Sequence, residues 1–359
     1  MKREKKFNSS ITSDGVIGNS DRTAWWKLAI LGTVLVVSSL SAGIVIGYKG
    51  KSYIQKAITY TLFDDTRAGK WHEDFRVVNI KSSKDGVIQK AYAFRTTAKT
   101  PQPLIVSLHS WGGDYRQDDK FKNQVKEKNW NYIHPDFRGP NKSLEACVSD
   151  LVIQDIDDAI DFALSNFNCD KEKIYVVGGS GGGYAALESF MKSKHNVAEF
   201  SAWVPISDIY WWYHETKVRG LNYWQDILKC TSSPNGQLDE ITAKSRSPLY
   251  WETPTEKLAN TKLKIYAGVY DGIQGSVPIT QSINFYNKIL ADIDCSDSTQ
   301  FVNDKEIVHL LTRQTPLDSY GQIGNREIIL KKEYKNVKIT IFDGKHEILT
   351  DFVLQTLNK

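Results

Sequence analysis

An α/β fold, with a mostly parallel central sheet flanked by helices, is what this sequence predicts. Three observations point there. From residue 71 onward, short apolar runs rich in Val, Ile and Tyr alternate with amphipathic helical stretches. Several of those runs are apolar at nearly every position, as in strands buried on both faces. The composition is globular, 41% hydrophobic and 25% charged over 359 residues, which excludes a wholly disordered, collagen-like or coiled-coil chain. Strands that alternate with helices imply right-handed crossovers and a parallel sheet. Such sheets bind ligands at the carboxyl ends of their strands.

The elements follow in order. His72 to Ala98 holds two alternating runs around Lys84-Asp85-Gly86, a hairpin signal. Pro103–Ser110 (PLIVSLHS) and Trp130–Phe137 (WNYIHPDF) read as strands. Between Ser149 and Asn166, Leu151, Ile156, Ala159, Ile160 and Ala163 recur at a helical period, with Ser149 or Asp150 as N-cap. Glu172–Gly179 is a strand, Gly182–Ser193 a helix, and Phe200–Ser207 a strand. Lys262–Asp271 and Asn336–Gly344 are two more strands. Two stretches break the alternation. Asp208–Asn260 is crowded with Trp and Tyr and reads as a cap insertion at about 208–260; Asp292–Lys332 is polar and reads as an irregular insertion.

The N-terminus carries a different signal. Leu28–Gly47 (LAILGTVLVVSSLSAGIVIG) holds no charged residue. As a helix it would span about 30 Å, the thickness of a bilayer core. Trp25, Trp26 and Tyr48 suit the two interfaces. More Lys and Arg precede this run than follow it, which puts the N-terminus inside and the rest outside the cytoplasm. The expected organisation is a cytoplasmic tail at 1–27, one transmembrane helix at 28–48, a stem at 49–70 and an α/β domain at 71–359 that carries the cap insertion. A cleaved signal peptide, giving a secreted protein, is the rival reading.

Net charge is +4, from 46 Lys plus Arg against 42 Asp plus Glu, so no nucleic-acid partner is expected. Cys147, Cys169, Cys230 and Cys295 lie too far apart in sequence for a zinc motif. A disulfide is permitted outside the cytoplasm. Cys147 and Cys169 are expected not to pair, since a helix of about 25 Å lies between them. Cys230 and Cys295 are the pair expected to bridge.

Gly178-Gly179-Ser180-Gly181-Gly182 matches G-x-S-x-G, between a strand ending in Val176-Val177 and a helix. In that context the serine sits on a sharp turn with its hydroxyl exposed. The rival is a glycine-rich phosphate loop, but the Lys-Ser/Thr of a P-loop is missing. A serine needs a base and an orienting acid, which in this architecture follow in the order Ser, acid, His. Asp271 closes a strand and precedes Gly272, whereas Asp292 and Asp294 follow a helix. His346 is the one histidine placed after the final strand. The loop His109-Ser110-Trp111-Gly112-Gly113 can aim a backbone N–H at an oxyanion. Trp111 is the expected first donor, with Ser110 as runner-up, and Gly181 the second.

These pieces together resemble the α/β-hydrolases, and within them the prolyl-oligopeptidase-like serine hydrolases. The matching segments are LHSWGGD, DFRG at Asp136–Gly139, QDIDDAID at Gln154–Asp161, KIYVVGGSGGGYAAL, YAGVYDGIQGSVPITQSINFYNKI and FDGKHEIL, spread over residues 100–357. The resemblance implies Ser180, Asp271 and His346 as the triad and the DGxxGSVP segment as the loop that shapes the acid. Two departures stand out. The usual His-Gly is His109-Ser110 here, and the β-propeller that gates the oligopeptidases is expected to be absent, since fewer than 75 residues precede the domain and part of them reads as membrane.

Arg138, after a strand end, could bind a substrate carboxylate; the alternative is an ion pair that holds its loop. Trp211 and Trp224 could form a wall against a sugar or acyl group, or simply line the cap. The expectation is a serine hydrolase acting on an ester or peptide bond, with no metal or organic cofactor. Its substrate would be a small molecule, a peptide or an esterified polymer. The alternative is a catalytically inactive hydrolase fold used for binding or adhesion.

Overall fold

A computed structural model of the chain describes residues 66–357, all within the compact unit Thr59–Lys359. The expected tail, transmembrane helix and most of the stem lie outside the described residues. Among those described, no helix is long and apolar enough to cross a membrane.

Ten strands form the sheet: β1 (Arg76–Lys81), β2 (Ile88–Phe94), β3 (Gln102–Leu108), β4 (Asn131–Pro135), β5 (Cys169–Gly179), β6 (Glu199–Trp203), β7 (Lys262–Gly268), β8 (Gln322–Ile323), β9 (Arg326–Tyr334) and β10 (Val337–Phe342). Their spatial order is β1-β2-β4-β3-β5-β6-β7-β10-β9-β8. From β4 to β10 every neighbouring pair is parallel. The strands at both edges are antiparallel. The predicted hairpin is β1–β2, and Gly86 turns it with φ +79°.

Nine helices flank the sheet among the described residues: α1 (Lys122–Glu127), α2 (Asp150–Asn166), α3 (Gly181–Lys192), α4 (Ile209–Val218), α5 (Tyr223–Cys230), α6 (Glu240–Ser245), α7 (Ile279–Asp292), α8 (Asp304–Thr312) and α9 (Val353–Thr356). One core layer joins α2, α3 and α7 to the sheet through Ile156, Ile160, Phe190, Ile283 and Ile289. The other face is covered by α1 and α9, through Val125, Val353 and Leu354. The predicted cap on α2 forms: the Ser149 side chain accepts from Leu151 N–H. That helix also buries three carboxylates. Asp155, Asp157 and Asp158 each bond a neighbouring loop, through Arg138, Ser193 and Ser83 respectively.

One expectation is corrected. Residues 292–332 are not irregular: they hold α8, closed by an Asn303–Glu306 capping box, and most of β9. β9 reads REIILKKEY, with Ile328, Ile329 and Leu330 buried between polar flanks. Three aliphatic positions in nine are too few to stand out near the edge of a sheet, where the polar flanks meet water.

The aromatic segment, the cap, is built from α4, α5, α6 and short 3₁₀ turns. It has its own core, in which Trp111, Cys147, Tyr184, Ile209, Trp212, Ile227 and Cys230 pack together. Its anchor differs from the expected one. Cys147 and Cys230 are disulfide-bonded, with Cα atoms 5.9 Å apart, while Cys295 is free. Cys169 is also free, so the helix keeps it from Cys147 as expected. Eighty-three residues separate the bonded pair, and no local pattern could have joined them.

Candidate active site

The carboxyl ends of β5, β7 and β10 bring the predicted residues to one rim. Ser180 sits between β5 and α3 with φ +58° and ψ −120°, a strained conformation for a residue with a side chain. Two backbone bonds hold it there. Its N–H donates to Trp203 O at 2.9 Å, and its carbonyl accepts from Tyr184 N–H at 2.9 Å. Glycines make the turn possible. A Cβ on Gly182 would strike the carbonyls of Leu108 and His109, and one on Gly183 would meet Trp203 O at 2.7 Å.

Asp271 lies three residues past the end of β7 and is buried. Its Oδ1 accepts from the N–H groups of Gly272 at 2.9 Å and Val277 at 3.1 Å. Its Oδ2 accepts from His346 Nδ1 at 2.7 Å. A carboxylate oxygen fixes which imidazole nitrogen carries the proton, leaving Nε2 as the basic one. The loop bearing His346 runs over the serine turn, where Ile348 Cβ stands 3.5 Å from the position a Gly179 side chain would occupy. Ser180 and His346 are each less than a tenth exposed. Asp292, a rival for the acid, is engaged elsewhere by Lys288 and Thr253.

Trp111 and Gly181 lie against each other. A Cβ on Gly181 would collide with the backbone nitrogen and Cα of Trp111. Only glycine lets the β3 loop come this close to the first turn of α3. Two backbone N–H groups are thereby gathered beside the serine, at a helix N-terminus that favours negative charge. A chain of bonds holds the loop. Trp111 O accepts from Asn141 N–H at 2.8 Å, and Asn141 Oδ1 accepts from the N–H of the disulfide-bonded Cys147 at 2.7 Å.

The cap braces both the Trp111 loop and the Asp271 loop, through residues that sequence reasoning passed over. Trp212 is fully buried, with its ring 4.8 Å from Trp111 and edge-on to it. Its Nε1 donates to Ser276 O at 3.0 Å. Arg219, at the end of α4, donates to Ser276 O at 3.2 Å and also to Gly275 O. Gly275 in turn lies against the Asp271 carboxylate and the His346 Cβ. Trp211, the residue singled out for substrate, is instead 56% exposed on the outer side of α4, against Tyr210 and His214. Adjacent residues on a helix point about 100° apart, so only one of the two tryptophans can face the sheet. Trp224 is partly buried beside Tyr213, under the Lys217 ammonium.

Arg138 takes the structural alternative, and the expectation of a substrate contact is corrected. Its side chain is 2% exposed. Nε donates to Asp155 at 2.6 Å, Nη1 to Asp85 at 2.8 Å, and Nη2 to Asp85, Asp155 and Ser82. The guanidinium holds the Asp85 carboxyl down to about 2. These bonds tie the guanidinium to the hairpin and to α2, and Nη1 also lies 3.7 Å from Glu145. Among the described residues, no group of three or more His, Cys, Asp or Glu is placed to hold a metal ion.

No family model matches the sequence, and no curated protein matches it by sequence. Solved structures do resemble it. An acylaminoacyl peptidase in complex with Z-Gly-Gly-Phe-chloromethyl ketone superposes with TM-score 0.51 at 19% identity, over 76% of this chain and 37% of that one. The Pyrococcus horikoshii acylaminoacyl peptidase gives 0.52 at 16% identity, over 81% of this chain and 39% of that one. The chain thus spans less than two-fifths of the length of these proteins. What the strand order, the serine turn and these superpositions establish together is an α/β-hydrolase fold, of the kind found in the acylaminoacyl peptidases.

Proposed function

We propose that the chain is a serine hydrolase that cleaves an ester or peptide bond through an acyl-enzyme. The observation that carries this reading is the His346–Asp271 bond of 2.7 Å on the rim that also bears the strained Ser180. In the proposed cycle, His346 Nε2 takes the Ser180 proton as Oγ attacks the acyl carbonyl. The C–O or C–N bond to the leaving group then breaks, and His346 returns the proton to that group. Asp271 stabilises the imidazolium, and the Trp111 and Gly181 N–H groups receive the oxyanion. Water, deprotonated by the same histidine, releases the acid. No step calls for a cofactor.

For placement, we propose an extracytoplasmic catalytic domain held at a membrane by residues 28–48. The uncharged run supports the anchor. The Cys147–Cys230 disulfide supports an oxidising compartment. Small esters, peptides and esterified polymers all remain within the proposed substrate class.

The test is labelling of the full chain with a fluorophosphonate probe, together with hydrolysis of a panel of nitrophenyl esters and peptide amides. Ser180→Ala is the control. Labelling and turnover that both vanish in the variant are expected. A protein that folds, yet neither labels nor hydrolyses any substrate of the panel, would instead support an inactive binding module.

A further inference from the structure

A second polar pocket lies on the face of the sheet covered by α9, toward the N-terminal ends of β7 and β10 and so away from the rim that bears Asp271 and His346. Its volume is about 250 Å³. Three lysines from neighbouring strands share it: Lys264 on β7, Lys338 on β10 and Lys331 on β9. The register explains the crowding. Lys264 pairs directly with Lys338 across the parallel ladder, and Lys331 pairs with Thr340 across the antiparallel one. Side chains two apart on a strand share a face, so all four project to the same side.

Their charges are unequally met. Lys264 is satisfied: its ammonium lies 2.8 Å from Glu199 and donates to Thr356 O at 2.6 Å. Lys338 has only a longer contact of 3.7 Å with the half-exposed Glu333. Lys331 makes no ion pair among the described residues. Burial, and then the Lys331 ammonium, hold Lys338 below the usual lysine range, while Glu333 pulls the other way. Between these groups, Thr340 is 2% exposed and its hydroxyl has no hydrogen-bond partner. Two cationic donors and an unused hydroxyl therefore converge on one cavity. Its remaining wall includes the apolar side chains Ile323 and Phe352.

We propose that this pocket binds a small oxyanion, a phosphate or carboxylate group, carried on an apolar body. The anion would sit between the Lys331 and Lys338 ammonium groups and accept from the Thr340 hydroxyl. Charge-assisted bonds of this kind are the strong ones, and an anion there offsets the repulsion between two like charges. The apolar part would rest on Phe352 and Ile323. The site does not depend on the hydrolase reading, since none of its residues belongs to the triad or the oxyanion loop.

Titration calorimetry on the full chain tests it with three probes: inorganic phosphate, phenyl phosphate and benzoate. Saturable binding at one site is expected for at least one probe, with phenyl phosphate about tenfold tighter than inorganic phosphate because its ring is buried. The phenyl phosphate and benzoate arms decide which oxyanion is preferred. Lys331→Ala/Lys338→Ala should weaken binding by at least about tenfold, and Thr340→Val by a smaller factor. Lys331→Ala alone, at an exposed residue, guards against a folding defect in the double variant. Hydrolysis of a nitrophenyl ester should be unchanged in all of them. No saturable binding of any probe up to about 10 mM, or equal binding by wild type and the lysine variants, overturns the proposal.

Discussion

The rim of the sheet and the cap above it are held together in different ways. The rim is set by backbone: Ser180, Asp271 and His346 each follow a parallel strand whose ladder fixes its end. The cap touches the sheet through side chains and one disulfide, with Trp212, Tyr184 and Cys230 packed around Trp111. The proposed chemistry is thus mounted on the part that the main chain determines, while the cap presses on its loops. Loss at the rim should remove turnover without unfolding, and loss at the cap should lower stability and turnover together.

The largest effect that would test this contrast is at Ser180. Ser180→Ala should reduce kcat by about 10⁶-fold with thermal unfolding almost unchanged, because the turn is held by backbone bonds and close glycine contacts. The pH profile belongs to the same experiment. A base must be neutral to accept a proton, so kcat/KM should rise from acid to neutral pH. A flat profile from pH 5 to 8, or a variant that keeps a few per cent of activity, would remove the rim from the chemistry.

Next in size is the pair of neighbouring tryptophans. Trp212→Ala would empty a fully buried site and leave Ser276 O with Arg219 as its remaining donor, at a cost of about 3–5 kcal/mol. Trp211→Ala, at a mostly exposed ring, should stay within about 0.5 kcal/mol. Differential scanning calorimetry of both variants decides it. Turnover should also fall in the first, since Trp212 joins the Trp111 loop to the loop that follows Asp271. Similar losses of stability in the two would mean that the cap has no inner and outer face.

The same division explains what could be read before the fold was known. That Ser180, Asp271 and His346 share one rim was legible because each follows an apolar strand and their order along the chain is fixed by the topology. The closeness of Trp111 to Gly181 was legible because glycines stand beside both. The cap was visible as an aromatic excess, but not as an arrangement. WWYHE offers two adjacent tryptophans, and which one turns inward depends on where α4 docks. Arg138 looked like a ligand for an anion because its partners, Asp85 and Asp155, lie 53 and 17 residues away. Pairings of that kind are decided by tertiary structure, as is Cys147–Cys230.

Reducing the disulfide should have a somewhat smaller effect than deleting Trp212, about 2–4 kcal/mol. Its consequence for turnover is more specific. Cys147 N–H holds Asn141, and Asn141 N–H holds the carbonyl of Trp111, so loosening Cys147 should disturb the oxyanion donor. Dithiothreitol should therefore lower kcat more than it raises KM, and Cys147→Ser/Cys230→Ser should show the same defect with no further response to the reagent. If kcat is untouched while melting shifts, the disulfide staples the cap without reaching the loop.

The smallest effect concerns Glu188, which sits on α3, the helix that follows Ser180, below the cap. It is fully buried, and neither carboxylate oxygen has a hydrogen-bond partner. Burial pushes its carboxyl well above the ordinary value, with Lys192 and Arg246 pulling only partly back. A folded pKa above the unfolded one means that the native state holds the extra proton between the two. Stability from this group is then fully present below the unfolded value near 4.5 and is lost as pH rises toward the folded value. The slope is at most about 1.4 kcal/mol per pH unit. Glu188→Gln keeps the shape and removes the titration. The variant should be less stable than wild type, or equal to it, at pH 4, and more stable by about 1–2 kcal/mol at pH 8. Urea unfolding at the two pH values reads the difference directly. Parallel pH dependence in the two proteins would show that Glu188 is solvated and ionised in the native state. The junction between α3 and the cap would then be wetter than its packing implies, and the cap less firmly seated on the rim.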